Sequence, residues 1–437
     1  MDARRRGLPW VVASNMLNSV FAVWTFGGSV FVLLMDELGM PKGMIGAVLS
    51  LFPFCGMLAL GFAPVAARWG RKRVFLGFYA TRKIVMAGLL ALPWAIGAFG
   101  NGAGIGLLLG LIFLFAVLRA LAETAYYPWA QEFIPNDLRG RFSAWSTVLT
   151  MVASAGALAV AGHVLGQGSG VGRYLLLIGT GSAIGLIGVA LMIPVSGGAP
   201  VLDPARSGGY RGRIRAALAD GNFRAYLGGA AGMALGSGML MAFIPLYATE
   251  RLGLASATVV RLDILTMVGG ALSSLACGWL SDRAGSRPVV MPCAALLTLV
   301  SLGWVLLPRD TPYAAAFCGA LYALFGVAYW GLTLGALRLL YNGVVPPSED
   351  TAYMAIYYAW IGVAGGAGPL LAGGLLTLAG GRSEGVLGIP ADGYTLVFAA
   401  ALACLAVSWR QFGRVRPDGR HTTRSAMRGA MIWWAQR

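Results

Sequence analysis

The chain has 437 residues, of which 58% are hydrophobic and 11% charged, with a mean hydropathy of +0.73. A water-soluble globular chain carries about a quarter charged residues, so these proportions exclude disorder and a wholly water-facing surface: the apolar side chains face lipid. The net charge of +16 would suit nucleic acid if it sat on soluble segments, but the basic residues punctuate apolar runs and no nucleic-acid partner is expected.

Taken in chain order, windows of about 20 apolar residues fall near 10–34, 44–66, 74–98, 104–128, 143–165, 174–195, 225–249, 257–280, 289–308, 313–340, 352–379 and 394–412. Arg4 to Arg6 ahead of the first window could mimic a secretory leader, but the apolar stretch from Trp10 to Asp36 has no small-residue cleavage site and reads as a first span. The third, fourth and eighth windows are interrupted by Arg82, Lys83, Arg119, Glu123, Arg261 and Asp263. Runs this long without alternation must satisfy their backbone as helices rather than as barrel strands. The fold class is therefore an all-α integral membrane protein with twelve transmembrane helices.

Twelve spans put both termini on one side. The even-numbered connections and the two tails hold 23 basic residues, and the odd-numbered connections hold six. By the positive-inside rule the tails are cytoplasmic, which implies a multi-pass protein of a cell membrane, inner or plasma. The longest polar segment, 196–222, is rich in Gly, Pro and Arg and reads as a cytoplasmic linker between two six-helix bundles, 1–195 and 223–412. A basic tail, 413–437, follows. Its end, with Met431, Trp433 and Trp434 among Arg428 and Arg437, suits either an amphipathic segment on the membrane surface or a disordered tail.

The five cysteines are scattered through apolar runs, only two histidines occur, and neither G-x-S-x-G nor H-E-x-x-H is present. No disulfide framework, metal set, cofactor or hydrolytic chemistry is implied, and the chain does not read as an enzyme.

Transport folds are built from duplicated bundles. After the eighth window the chain reads Gly278-Trp-Leu280-Ser-Asp282-Arg283-Ala-Gly285-Ser-Arg287, and after the second it reads Ala67-Arg68-Trp-Gly70-Arg71-Lys72. Arg68 and Arg283, Gly70 and Gly285, and Lys72 and Arg287 are each 215 residues apart, and the same shift pairs Trp145 with Trp360. Gly285 permits a turn too tight for a Cβ, while the arginines anchor an interface. This G-x-L-x-D-R-x-G-x-R turn resembles the signature loop of the major facilitator superfamily, and the resemblance covers the whole chain. It implies two pseudo-symmetric six-helix bundles, a monomer, and alternating access. It also implies that Asp282, Arg283, Gly285 and Arg287 stabilise an outward-facing state, Asp282 by meeting the positive end of a helix from the other half. The first-half copy, with Arg68, Gly70 and Arg71, lacks the Asp and the first Gly. Its partner helix, starting Pro346-Pro347-Ser348-Glu349-Asp350, supplies its own acidic first turn.

Ionisable groups deep in a span cost about 2.5 to 3.5 kcal/mol each and so point to function. Arg119 and Glu123 share one helical face, continued by Tyr126 and Tyr127. With Arg82 and Lys83 they leave a surplus of positive charge that a polar or anionic cargo could complete, Arg119 acting as a forked donor and Glu123 as the proton carrier. Arg119 also resembles the family's span-four arginine, associated with proton coupling, although only that residue matches. The competing reading is a structural Arg82–Glu123 bridge with Lys83 snorkelling to the interface.

Asn15, Asn18, Ser19, Thr25 and Ser29 give span one a polar stripe. The resemblance places spans one, four, seven and ten around the path, so the stripe is expected to face it. Tyr322, Tyr329, Trp330 and Thr333 on span ten, and Tyr353, Tyr357 and Trp360 on span eleven, suit an amphipathic cargo or simply pack helices. Arg338 is expected to snorkel. Arg261 and Asp263, near Glu250 and Arg251, read as interfacial charges or as an outer gate network. Gly228, Gly229, Gly232 and Gly236 should form a close-packing face of span seven, and Gly365, Gly366, Gly368 and Pro369 a flexible point of span eleven.

The function these readings favour is secondary active transport of a small organic solute, polar or anionic, coupled to H⁺. The alternative is a proton-coupled exporter of amphipathic compounds, opposed by the absence of a Gly-Pro pair from span five.

Overall fold

The computed structural model describes residues 3–135, 139–200, 210–309, 313–346, 350–379, 384–386 and 389–418. The end of the basic tail, part of the linker, and residues 347–349 at the start of span eleven lie outside them.

The helices are α1 (Ala3–Thr25), α2 (Ser29–Glu37), α3 (Lys42–Gly56), α4 (Leu58–Trp69), α5 (Arg71–Ala87), α6 (Leu92–Phe99), α7 (Asn101–Phe133), α8 (Arg139–Gly166), α9 (Gly172–Leu191), α10 (Tyr210–Ala219), α11 (Gly221–Glu250), α12 (Ser256–Ala284), α13 (Arg287–Leu306), α14 (Ala314–Leu339), α15 (Asp350–Ala379) and α16 (Gly393–Arg414). A two-stranded antiparallel hairpin, β1 (Glu384–Val386) and β2 (Ile389–Ala391), lies between α15 and α16. Among the described residues, eleven spans are long and apolar enough to cross a membrane. Several are composite. The first joins α1 and α2 across Gly28, whose φ of +68° only glycine adopts readily.

The second predicted span is divided instead into α3 and α4, each short by itself. Pro53 and Pro64 remove backbone donors from these helices. Two further features add to the expectations. The linker contains a helix, α10. Span eleven has no break at its glycines, because α15 runs unbroken through Pro369. Gly368 serves close approach there: a Cβ would lie 2.7 Å from the Leu235 carbonyl oxygen.

The chain forms two compact units, Met1–Arg206 with Ala242–Ile264, and Ser207–Met241 with Leu265–Arg437. In the first, α5 packs along α7, and α1 along α8 and α9. Phe75, Trp129 and Phe133 are buried in its core. In the second, α13 lies against α14 and α16, with Trp304 packed on Tyr322 and Phe398.

Lipid offers apolar side chains no drive to leave it, so helix association rests on close packing. The glycine face of α11 meets α16 as the spacing predicts. Gly229 receives the Phe412 ring, a Cβ at Gly232 would stand 2.6 Å from the Cys404 carbonyl oxygen, and one at Gly236 would stand 2.9 Å from that of Ala401. Ser408 Oγ donates to the Gly229 carbonyl across the same seam, at 2.6 Å.

The internal repeat is visible in the backbone. Gly70 and Gly285 have φ of +93° and +88°, so both turns use the left-handed conformation that the sequence assigned to Gly285. In the first unit Lys72 N donates to the Gly198 carbonyl at 3.2 Å, and in the second Arg287 Nη2 donates to the Gly413 carbonyl at 2.7 Å. The two pairs occupy the same positions of the repeat: the acceptor is a carbonyl of the segment after α9 in the first and of the last turn of α16 in the second.

Candidate functional site

The interrupted third and fourth windows converge in the first unit. Tyr79, Arg82 and Lys83 lie on one side of α5 because they are separated by three or four residues. That side packs on α7, which carries Phe115, Arg119 and Glu123, and near α1, which carries Asn18 and Phe21. Arg82 and Lys83 are 2% and 0% exposed. The Asn18 side-chain carbonyl accepts from both, from Arg82 Nη2 at 3.1 Å and from Lys83 Nζ at 2.9 Å.

Two aromatic rings flank the lysine. Its Nζ lies 4.2 Å from the Phe21 ring centre and 4.0 Å from that of Tyr79, and the Arg82 guanidinium is 4.2 Å above the same tyrosine. These faces attract cations most when water is excluded. Gly185 on α9 leaves space for the lysine stem, since a Cβ there would stand 2.8 Å from Lys83 Cδ. Lys83 therefore does not snorkel.

Glu123 is the acid of the cluster. Its Oε1 accepts from Arg119 Nε at 2.8 Å and lies 3.9 Å from Arg82 Nη1. The side chains of Arg119 and Glu123 are 31% and 44% exposed, so this pair is the exposed edge of the cluster. Arg82 and Lys83 lie behind it, both buried. Arg82 Nε and Nη1 have no hydrogen-bond partner among the described residues.

The span-one stripe is partly used within the bundle. Asn15 Nδ2 donates to Ser146 Oγ at 3.2 Å, Ser19 Oγ to the Thr150 carbonyl at 3.2 Å, and Thr25 Oγ1 to the Phe21 carbonyl at 2.6 Å. Tyr126 packs on Phe75, whereas Tyr127 is 65% exposed.

The aromatic candidates of the second unit are each engaged with neighbouring helices or rings. Tyr329 stacks on Phe325 with centroids 5.5 Å apart, and Thr333 Oγ1 returns to the Tyr329 carbonyl. Trp330 fills the notch at Gly270. Trp360 Nε1 donates to the Leu227 carbonyl at 3.1 Å, Tyr357 lies 5.9 Å from Tyr226, and the Tyr353 hydroxyl donates to Asp220.

At the signature turn, Asp282 pairs with Arg338 of α14, with the Asp282 side chain 71% exposed, so the head of Arg338 reaches an exposed carboxylate. Arg283 lies 4.2 Å over the Trp279 ring, and Gly278 has open space beside it. In the first-half copy Arg68 is exposed, and Arg71 Nη1 pairs with Glu132 at 2.6 Å. The carboxylate partners at both turns include residues that sequence reading missed: Glu132, and Asp418, whose Oδ1 accepts from Ser286 N at 2.8 Å. Tyr79 was missed too, although its place one turn before Arg82 and Lys83 was a usable signal. At the junction of α11 and α12, Lys42 bridges Asp36 and Glu250, and Asp263 Oδ2 accepts from Ser29 N at 3.1 Å.

A multi-pass helical membrane protein with a repeated basic turn and charge buried between helices defines a membrane transporter. The chain matches the Major Facilitator Superfamily over residues 12–369 and 226–428, and it belongs to that family. No curated protein matches it significantly. Among solved structures it is similar to a D-xylose-proton symporter at a TM-score of 0.70 and 11% identity, covering 95% of this chain and 98% of that one. The nucleoside transporter NupG follows at a TM-score of 0.65 and 15% identity over 95% and 99%. A bacterial homologue of the iron transporter ferroportin, in an inward-facing state, gives 0.64 and 14% over 94% and 98%. At these identities the likeness establishes the shared fold.

Proposed function

We propose that the chain is a proton-coupled carrier of a small organic solute with a polar or anionic group, and that Arg119 and Glu123 are its contact and coupling residues. One observation carries this reading: a single carboxylate, Glu123, lies 2.8 Å from Arg119 and 3.9 Å from the buried Arg82, the buried Lys83 shares the Asn18 acceptor with Arg82, and the exposed edge of the group is the Arg119–Glu123 pair. An anion arriving at Arg119 competes with Glu123 for the guanidinium. Protonating Glu123 releases Arg119, and a solute anion then restores the charge balance, so the two events favour each other.

The signature turns at Asp282–Arg287 and Arg68–Lys72 serve as gating loops in this reading. The termini lie on the cytoplasmic side of a cell membrane, and the monomer is the working unit. The D-xylose-proton symporter lends the coupling ion support by analogy of fold. Export of amphipathic compounds has less beneath it, because Trp330, Trp360 and Tyr353 are engaged in helix packing.

A thermal-shift screen of sugars, nucleosides and carboxylates on the purified protein tests the assignment, repeated with Arg119→Ala. A stabilising solute whose shift disappears in the variant is the expected result. An equal shift in both proteins refutes Arg119 as the contact residue.

A further inference from the structure

The second unit has a cavity of about 520 Å³ where α11 begins and α16 ends, lined by Asp220, Asn222, Arg224, Gln411, Arg414 and Arg416 among others. It is far in sequence from the buried charges of the first unit and has no part in the transport reading. Three arginines and one aspartate line it, and the aspartate accepts hydrogen bonds from the start of α11 and from Tyr353. Asp220 Oδ1 accepts from Asn222 N at 2.8 Å and Phe223 N at 3.4 Å, and its Oδ2 accepts from the Tyr353 hydroxyl at 3.3 Å. Asp220 thus caps α11, and one carboxylate faces three guanidinium groups in the lining.

The rest of the lining fixes the chain that carries these charges. Asn222 Oδ1 accepts from Arg416 N at 2.8 Å, and Asn222 Nδ2 donates to the Gly343 carbonyl at 3.3 Å. Asn222 thereby ties the turn after α16 to the start of α11. Among the described residues, Arg414 Nη1 donates to Gln411 Oε1 at 3.3 Å, one of the five donors of its planar fork.

The position of the cavity specifies the acceptor. One membrane span starts at Gly221 and another ends at Arg414, so the arginines stand where two helices leave the hydrocarbon. Along α16, Val407, Gln411 and Arg414 are four and three residues apart and share one face, and Val407 is 52% exposed. Val407 therefore places exposed apolar surface two turns before Arg414, on the face that reaches the basic cavity. A ligand that fits both parts has a phosphate oxyanion for the guanidinium forks and an acyl chain for the apolar surface beside them.

We propose that this cavity binds the headgroup phosphate of an anionic phospholipid, with its acyl chains lying along α16. The site requires only the membrane plane, so it stands or falls independently of the transported solute and of Glu123.

The test uses the full chain, delipidated in detergent and observed by native mass spectrometry while dioleoylphosphatidylglycerol, dioleoylphosphatidylcholine or inorganic phosphate is added. The wild type is expected to retain the glycerol lipid at least about tenfold better than the choline lipid. Arg224→Gln, Arg414→Gln and Arg416→Gln should each weaken retention about fivefold, the worth of one basic residue at an anionic surface. Arg416 lies beyond the end of α16 and is exposed, so its substitution leaves helix packing intact and gives a readout if the other variants fold poorly. Equal retention of the two lipids, wild-type retention by Arg416→Gln, or displacement of the lipid by millimolar inorganic phosphate would each overturn the proposal, the last by identifying a soluble anion as the occupant.

Discussion

Asn18 is the pivot of the buried cluster, and replacing it with leucine tests the geometry most sharply. Its carbonyl receives one hydrogen bond from Arg82 and one from Lys83. Hydrogen bonds to charged groups contribute about 1.5 to 3 kcal/mol each, so Asn18→Leu should cost about 3 to 6 kcal/mol by direct loss. The larger figure applies if neither cation finds another acceptor. Lys83, with 0% exposure, has no route to water. Removing that charge should therefore recover part of the loss, because a well-packed apolar replacement of a buried charge is often neutral. The double variant Asn18→Leu/Lys83→Met should be more stable than Asn18→Leu alone, with a coupling of about 1 to 3 kcal/mol. Unfolding by SDS titration in mixed micelles, followed by tryptophan fluorescence, measures all four corners of the cycle. Additivity within about 0.5 kcal/mol would refute the shared-acceptor arrangement.

Arg309 and Asp392 form a two-pronged ion pair at 2.9 Å for each contact, and Asp392 also caps α16 through Thr395 N at 3.0 Å. Burial by itself would raise the Asp392 carboxyl, but hydrogen bonds from Arg309 and Thr395 outweigh it and hold the group below the usual carboxylate range. A depressed carboxylate stabilises the folded state at neutral pH and loses that contribution as the pH falls below about 4; Asp392→Asn should lower Tm at pH 7 and flatten the acid-side fall in a pH series of melting curves. Gly232→Leu places side-chain atoms against the Cys404 carbonyl and should destabilise the α11–α16 seam by at least about 1 to 3 kcal/mol, read as reduced Tm and monodisperse yield; an unchanged melt would contradict the packing. Gly285→Ala puts a Cβ on a φ of +88°, at a cost of about 1 to 2 kcal/mol, and should slow transport more than a matched Gly→Ala change at Gly278, which has open space beside it.

The spans, the repeat and the glycine seam were legible because each is a pattern local to the chain: hydropathy at a period of 20 residues or more, a turn copied at one offset, small residues on one helical face. The buried charges were legible for the same reason, since lipid makes any ion conspicuous. What the ions touch was not. Asn18 and Lys83 are 65 residues apart in sequence, and Arg309 and Asp392 are 83 apart; only packing brings them together. The prolines of the second span were in view, but whether a span bends or divides depends on its neighbours. The partner of Arg338 was not legible either, because Asp282 lies on another helix, 56 residues away. The tyrosines and tryptophans of spans ten and eleven read equally as cargo contacts or packing, because an aromatic side chain serves either use.

The most direct test of the account is proton movement driven by solute in proteoliposomes carrying an internal pH dye, with the wild type and Glu123→Gln compared across a panel of small carboxylates and sugars. The account predicts that at least one solute changes the internal pH through the wild type and that Glu123→Gln abolishes this response while keeping a folded, monodisperse protein. Solute-dependent proton movement through Glu123→Gln at the wild-type rate would contradict it.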